Sequence, residues 1–125
     1  MVWKFRKRNS GLINLKRLVY LISPNKVYKN FLGDLNDVLA TKKVKFFQLR
    51  FKNMSKYKII QIGKKIRIIT RRHNVKFIIN DNPIIANKVH ADGCHIGQLD
   101  GSISYARKFL KNKTIVVTCH NSKRL

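Results

Sequence analysis

The sequence predicts an α/β fold in which helices pack on a mainly parallel sheet. Short apolar runs rich in strand-forming residues alternate four times with segments whose apolar residues recur at helical spacing, and a fifth run follows. The runs are apolar almost throughout, which is typical of parallel strands covered by helices. Right-handed crossovers then allow either a doubly wound sheet or the first part of an eight-stranded barrel.

The predicted strands are recognised by their composition and by the residues that stop them. The first is a run of strand formers that ends before Pro24, which has no amide hydrogen to donate to a sheet. The last is a β-branched run that begins at Thr114. The predicted strands are residues 18–22, 44–49, 75–80, 93–96 and 114–118.

The predicted helices lie between these strands. Ser55 is suited to cap the longest helix, whose isoleucines recur on one face. Pro83 fits the first turn of a short helix, and Ser102 is suited to cap the last one. The predicted helices are residues 29–40, 55–72, 83–89 and 102–110.

Residues 1–17 precede this pattern and differ from it in composition. They include six basic residues, no acid and little periodicity. We expect a solvated or frayed basic extension, followed by one domain over residues 18–125. An organelle presequence or an anion-binding arm is the alternative.

The charge of the chain is strongly unbalanced. Lys and Arg number 28 against five acids, all Asp, which gives a formal net charge of +23 and a sequence pI near 10.8. Such a charge is typical of proteins that bind nucleic acid or another polyanion. The basic residues are spread over the whole chain, however, as an AT-rich coding sequence would also produce. Both explanations stay open.

Two of the five aspartates stand where ligands bind in folds with parallel strands. Asp81 follows the apolar run Phe77 to Ile79, and Asp100 follows the run that ends at Ile96. Ligands bind at the carboxyl ends of such strands in barrels and open sheets. In a chain this poor in acid, we expect both carboxylates to be functional.

The two cysteines raise the question of a zinc site, because Cys94 precedes His95 and Cys119 precedes His120. Successive side chains in a strand point to opposite faces, so neither pair is expected to close on one metal ion. A reduced, cytoplasmic protein is therefore expected. The apolar run at residues 18–22 is too short for a membrane span or a signal sequence, which predicts no association with membranes.

A set of polar residues is predicted to meet at the carboxyl edge of the sheet. Arginine and lysine beside carboxylates suit a magnesium-bound phosphate ester, because Mg²⁺ binds through one or two carboxylates plus the substrate phosphates. Helix caps, turn formers and a surface salt bridge are the alternative explanation. The residues of this set are Gln48, Arg50, Lys52, Asn80, Asp81, Gln98, Asp100, Thr118 and His120.

Several of these residues belong to motifs that resemble those of one family and run in the same order. Residues 48–52 (QLRFK) match a QLRxK signature, residues 77–81 (FIIND) match an IND strand end, and residues 91–100 (ADGCHIGQLD) match an ADGVHLGQxD segment. Residues 20–24 (YLISP) resemble the opening strand, and residues 117–121 (VTCHN) resemble the fifth-strand motif. Over about residues 18–122 the chain resembles the thiamine phosphate synthase/TenI family.

This resemblance implies an incomplete (β/α)8 TIM barrel, with about four βα units and a fifth strand. It implies a transferase of thiamine biosynthesis that joins hydroxymethylpyrimidine diphosphate to thiazole phosphate and releases diphosphate, with Mg²⁺ as cofactor. By motif, Asp81 and Asp100 would bind the metal. The residues that would hold the pyrimidine diphosphate are Gln48, Arg50, Lys52, Asn80 and Thr118.

The resemblance assigns no catalytic residue firmly. His120 stands where TenI-type relatives, which act as thiazole tautomerases, have a functional histidine, but an ordinary strand-end role is the alternative. Three residues depart from the family pattern: Phe51 replaces a frequent Glu, Asn82 replaces an Arg or another polar residue, and Val116 replaces a glycine.

The length also departs from the family, because a barrel's remaining strands and their phosphate-binding loops would follow the fifth strand. An incomplete barrel leaves open edges and an uncovered inner face. We therefore expect the chain to be marginally stable, to be prone to aggregation, or to be completed by a second copy or by another polypeptide. The predicted partners are small phosphorylated substrates. Three alternatives stay open: a basic module that binds nucleic acid or another polyanion, a non-functional gene fragment, and a thiazole tautomerase.

Overall fold

The computed structural model of the protein describes residues 4–9, 17–97 and 100–117. Within these residues the strands form one six-stranded sheet whose spatial order equals the chain order. The strands are β1 (Lys4–Asn9), β2 (Arg17–Ile22), β3 (Val44–Leu49), β4 (Lys76–Asn80), β5 (Gly93–Ile96) and β6 (Thr114–Val117). The helices are α1 (Phe31–Ala40), α2 (Lys56–Arg72), α3 (Pro83–Lys88) and α4 (Asp100–Leu110).

The arrangement of strands and helices decides between the two predicted architectures. Strands β2 to β6 are parallel, and each pairs with its successor in the chain. All four helices of the described part contribute to one buried core, in which Phe77 and Ile79 take part while Ile78 between them does not. The helices therefore cover one face of the sheet. A doubly wound sheet would carry helices on both faces, so the incomplete barrel is confirmed.

The core between helices and sheet is aromatic at its centre. Phe31 of α1, Phe47 of β3 and Phe77 of β4 are fully buried. The rings of Phe47 and Phe77 stack with centroids 6.2 Å apart. Burial of such large side chains supplies most of the stabilisation of a sheet and helix layer.

The predicted start of α2 is confirmed by its capping geometry, and so is that of α3. The Ser55 hydroxyl accepts a hydrogen bond from the Lys58 backbone N–H at 3.2 Å, and α2 follows. Pro83 opens α3, with the Asn82 side chain accepting from the Ile85 N–H at 3.0 Å. The cap predicted at Ser102 is wrong, because α4 begins at Asp100 and Ser102 lies inside it.

The amino-terminal segment also differs from the prediction. Lys4–Asn9 forms β1, antiparallel to β2, where a frayed extension was expected. Its sequence, KFRKRN, offers one apolar residue and no alternation for a pattern search to find. Charged residues on an edge strand limit pairing with other chains, so this composition is compatible with the position of β1.

Asp92 and Gly93 lie where the amino-terminal ends of β4, β5 and β6 pack together. Asp92 receives a bidentate pair from Arg67 of α2, at 2.7 and 3.1 Å, and also accepts from the Phe77 N–H at 2.7 Å. Gly93 lies so close to β6 that an added Cβ would be 2.2 Å from the Thr114 carbonyl oxygen. Glycine is thus required where β5 lies this close to its neighbour β6.

Within the described residues, the structure contains no helix that is long and apolar enough to cross a membrane.

Candidate functional site

A cleft with a volume of about 250 Å³ opens at the carboxyl ends of β3 and β4. Its floor is apolar and its rim is polar, the arrangement common to ligand sites. The floor consists of Leu49, Phe51, Ile59, Ile79 and Ile85. The rim consists of Arg50, Lys52, Lys56, Asn80, Asp81 and Asn82.

Arg50 and Lys52 both border this cleft. They lie in the loop after β3, which ends at Leu49. The loop is held by backbone contacts: the Arg50 N–H donates to the Ser23 hydroxyl at 2.9 Å, and the Lys52 N–H donates to the Asn25 carbonyl at 3.2 Å. The backbone of both residues is therefore fixed, and their side chains border the cleft.

Phe51 between them turns toward the core. Its ring meets Phe31 edge-on at 5.6 Å, and its side chain packs against the core cluster. Phe51, which replaces a glutamate frequent in the family pattern, thus anchors the loop and forms part of the cleft floor, while Arg50 and Lys52 border the rim.

Asp81 ends the strand in a backbone conformation that fixes its position. Its φ of 63° is left-handed, which Asp tolerates better than most residues. Its N–H donates to the His95 carbonyl at 2.7 Å, and its Oδ2 accepts from the Asn80 side-chain amide at 3.0 Å. Asp81 is exposed on the cleft rim, so its carboxylate is accessible from solvent.

Asn80 connects this carboxylate to a hydrogen-bond network on the face of the sheet opposite the helices, called here the inner face. The Tyr20 hydroxyl donates to Gln48 Oε1 at 2.8 Å, and Gln48 Nε2 donates to Asn80 Oδ1 at 3.0 Å. His95 Nδ1 lies 3.2 Å from the same Oδ1. Gln48 is buried, so its orientation is determined by these partners rather than by solvent.

The contact between His95 and Asn80 favours a hydrogen on His95 Nδ1, because Asn80 Oδ1 can only accept. Strand alternation places His95 on the inner face and Cys94 among the helix-covered residues, as predicted for neighbours in a strand. Burial raises the pKa of the Cys94 thiol to about 12, against the opposing effect of a hydrogen bond from the Asn82 backbone.

Three predicted site residues lie outside the described residues, namely Gln98, Thr118 and His120. Cys119 also lies outside them. Asp100 is the first residue of α4, which places it after β5 as expected. Within the described part of the chain, no group of three or more His, Cys or acidic residues is placed to hold a metal ion. A single carboxylate beside Arg50 and Lys52 still matches magnesium chemistry, because that ion commonly takes one protein carboxylate and substrate oxygens.

Three features of the site were not predicted. Lys56 borders the cleft from the first residue of α2, and Tyr20 and His95 complete the inner-face network. His95 lies within the ADGCHIGQLD segment, so the motif contained a signal for it. Lys56 belongs to no motif.

These features define a class of protein: a barrel-type α/β domain with a cleft bordered by cations at the carboxyl ends of its strands. A family model described as thiamine monophosphate synthase matches residues 19–125. The chain therefore belongs to the thiamine monophosphate synthase (TENI) family.

Individual relatives agree with this assignment. The chain is 56% identical over 111 residues to the thiamine-phosphate synthase of Pelagibacter ubique, covering 88% of this chain and 54% of that protein. It is 36% identical over 110 residues to the thiamine-phosphate synthase of Erythrobacter litoralis, covering 86% and 52%. The chain thus spans about half the length of the curated relatives it matches.

A solved structure shows the same architecture. The thiamine phosphate pyrophosphorylase from Pyrococcus furiosus superposes with a TM-score of 0.65 at 27% sequence identity. The match covers 72% of this chain and 44% of that protein.

Proposed function

We propose that this chain binds the magnesium complex of hydroxymethylpyrimidine diphosphate and contributes this half of a thiamine phosphate synthase site. The observation that carries the proposal is the meeting of Arg50, Lys52, Asn80 and Asp81 in one cleft at the carboxyl ends of β3 and β4. The membership of the chain in the family supports it.

Each residue has a role that its chemistry suits. Arg50 and Lys52 hold phosphate oxygens by charge-assisted hydrogen bonds and stabilise the charge on the departing diphosphate. Asp81 and Asp100 hold the magnesium ion, which neutralises part of the diphosphate charge when bound. Asn80 presents its side-chain amide at the cleft, and Gln48 positions Asn80 by donating to it from the inner face. Thr118 adds a hydroxyl to the diphosphate.

The test is thiamine phosphate formation from both substrates with Mg²⁺, in the wild type, Asp81→Ala and Asp37→Ala. Asp37 is an exposed acid on α1 outside the cleft and serves as the matched control. Turnover that is lost in Asp81→Ala and kept in Asp37→Ala would establish an enzyme.

If there is no turnover, binding of the pyrimidine diphosphate to the folded chain is the measurement that decides. If the folded chain binds the pyrimidine diphosphate without turnover, it supplies one half-site and needs the remainder of a barrel from elsewhere. If the folded chain neither turns over nor binds, the proposal is wrong.

A further inference from the structure

We propose that Lys56 is a third diphosphate-binding cation and favours diphosphate over monophosphate in the cleft. This inference rests on the proposed function of the cleft and names a residue that no motif contains. Arg50 and Lys52 border the cleft from the loop after β3, whereas Lys56 borders it from the first residue of α2.

The position of Lys56 is fixed by the start of its helix. The Ser55 hydroxyl accepts from the Lys58 N–H at 3.2 Å, and the Ser55 carbonyl accepts from the Ile59 N–H at 3.0 Å. Ile59 itself forms part of the cleft floor. The first turn of α2 is thus fixed against the cleft, so Lys56 has a constant starting point from which its flexible side chain can reach an anion.

Charge balance points to an anion with more than one phosphoryl group. Among the described residues, the cleft rim holds three cations, Arg50, Lys52 and Lys56, and one carboxylate, Asp81. The first turn of α2 contains no acid, and a lysine at this end of a helix is repelled by the helix dipole. A bound anion relieves that repulsion. An anion with two phosphoryl groups can bind the cations of the loop after β3 and Lys56 of α2 at the same time.

Lys58 provides a matched control in the same helical turn. It is exposed and carries the same charge, but it does not border the cleft. Both lysines experience the same helix dipole, so their removal has the same expected effect on helix stability. Only Lys56 is expected to affect ligand binding strongly.

The experiment is calorimetric titration of inorganic diphosphate, and separately of inorganic phosphate, into the wild type, Lys56→Met and Lys58→Met with Mg²⁺ present. We expect Lys56→Met to weaken diphosphate binding about tenfold, as for loss of a hydrogen bond to a charged group, and phosphate binding about twofold or less. Lys58→Met should stay within about twofold of the wild type for both anions. The urea midpoint of Lys56→Met should equal or exceed that of the wild type, because the change removes a cation that the helix dipole repels. If Lys56 had a structural role instead, its removal would lower the midpoint.

Three outcomes would overturn the proposal in distinguishable ways. Equal diphosphate affinity of the wild type and Lys56→Met removes Lys56 from the site but leaves the cleft. Equal losses in Lys56→Met and Lys58→Met mean that general positive charge attracts the anion. No diphosphate binding by the folded wild type rejects the cleft and Lys56 together.

Discussion

At the scale of residues, the Asn80 side chain makes three polar contacts within the site. Its oxygen accepts from Gln48 and contacts His95, while its amide nitrogen donates to Asp81. One side chain therefore links the inner face of the sheet to the carboxylate of the cleft. Its removal would disturb both regions at once.

We expect Asn80→Ala to lower the free energy of unfolding by about 2 kcal/mol, because the buried amide of Gln48 loses its acceptor. The measurement is urea denaturation followed by circular dichroism. Asn112→Ala, at an exposed position, is the control and should unfold like the wild type. Equal unfolding of both variants would show that the network does not stabilise the fold.

Cys94 gives a prediction about pH. The pKa of its thiol is raised to about 12 in the folded chain, from an ordinary value of 9.0, so the folded chain holds this proton where the unfolded chain releases it. The resulting stability is complete below pH 9 and is lost as pH rises from there toward 12. Cys94→Val should therefore show a smaller fall in stability between pH 8 and about pH 10.5 than the wild type.

Alkylation of Cys94 with iodoacetamide, followed by mass spectrometry of its peptide, tests whether this thiol is buried and protonated in the folded chain. The thiolate is the reactive form, so native protein at pH 8 should be modified only at the rate at which it opens. Modification of the native chain as fast as in urea would contradict the burial of this thiol.

At the scale of elements, the Arg67–Asp92 pair joins α2 to the amino-terminal ends of two strands. Asp92→Ala removes the acceptor of both the guanidinium and the Phe77 N–H, and we expect a loss of about 3 kcal/mol in the free energy of unfolding. Asp92→Asn keeps an oxygen for the Phe77 N–H and should lose less. Equal losses in the two variants would show that the charge alone matters.

The helix ends give a second prediction at this scale. Lys42 follows α1 with a φ of 62°, in the left-handed region where glycine is preferred. We expect Lys42→Gly to raise the free energy of unfolding by about 0.5–1 kcal/mol. The adjacent Lys43, whose φ is not positive, is the control. Lys43→Gly should destabilise the chain, and stabilisation by both changes would contradict the argument.

The success of sequence-based prediction differed between elements for physical reasons. The helices and parallel strands follow from apolar periodicity, because each must bury one face against the other layer. Strand β1 was missed because its residues are mostly charged and its pairing depends on β2 rather than on its own pattern. The start of α4 was misplaced because a serine inside a helix has the same side chain as a capping serine, and Ser102 lies inside the helix that begins at Asp100.

Within the site, residues that share a motif were predictable and residues that meet only in space were not. Arg50, Lys52, Asn80 and Asp81 were named from the sequence, and the fold brings them to one cleft. The contacts of Tyr20 with Gln48 and of His95 with Asn80 depend on the register of four strands. Lys56 depends on where α2 begins relative to the loop after β3.

At the scale of the whole molecule, the formal net charge of +23 predicts an affinity for polyanions that can be tested. We expect weak binding to a homopolymeric RNA that falls steeply between 50 and about 200 mM salt and is unchanged in Asp81→Ala. Filter binding across a salt series measures it. RNA binding that resists salt, or that depends on Asp81, would favour a specific nucleic-acid function over a general effect of charge.

The central claim is that the cleft at the ends of β3 and β4 binds a magnesium diphosphate ester. Calorimetric titration of hydroxymethylpyrimidine diphosphate into the folded chain, with and without Mg²⁺, tests it most directly, with Asp81→Ala as the variant and Asp37→Ala as the control. We predict binding that requires Mg²⁺, that weakens at least about tenfold in Asp81→Ala and that is unchanged in Asp37→Ala. Binding that is absent, that does not depend on Mg²⁺, or that is equal in the two variants would contradict it.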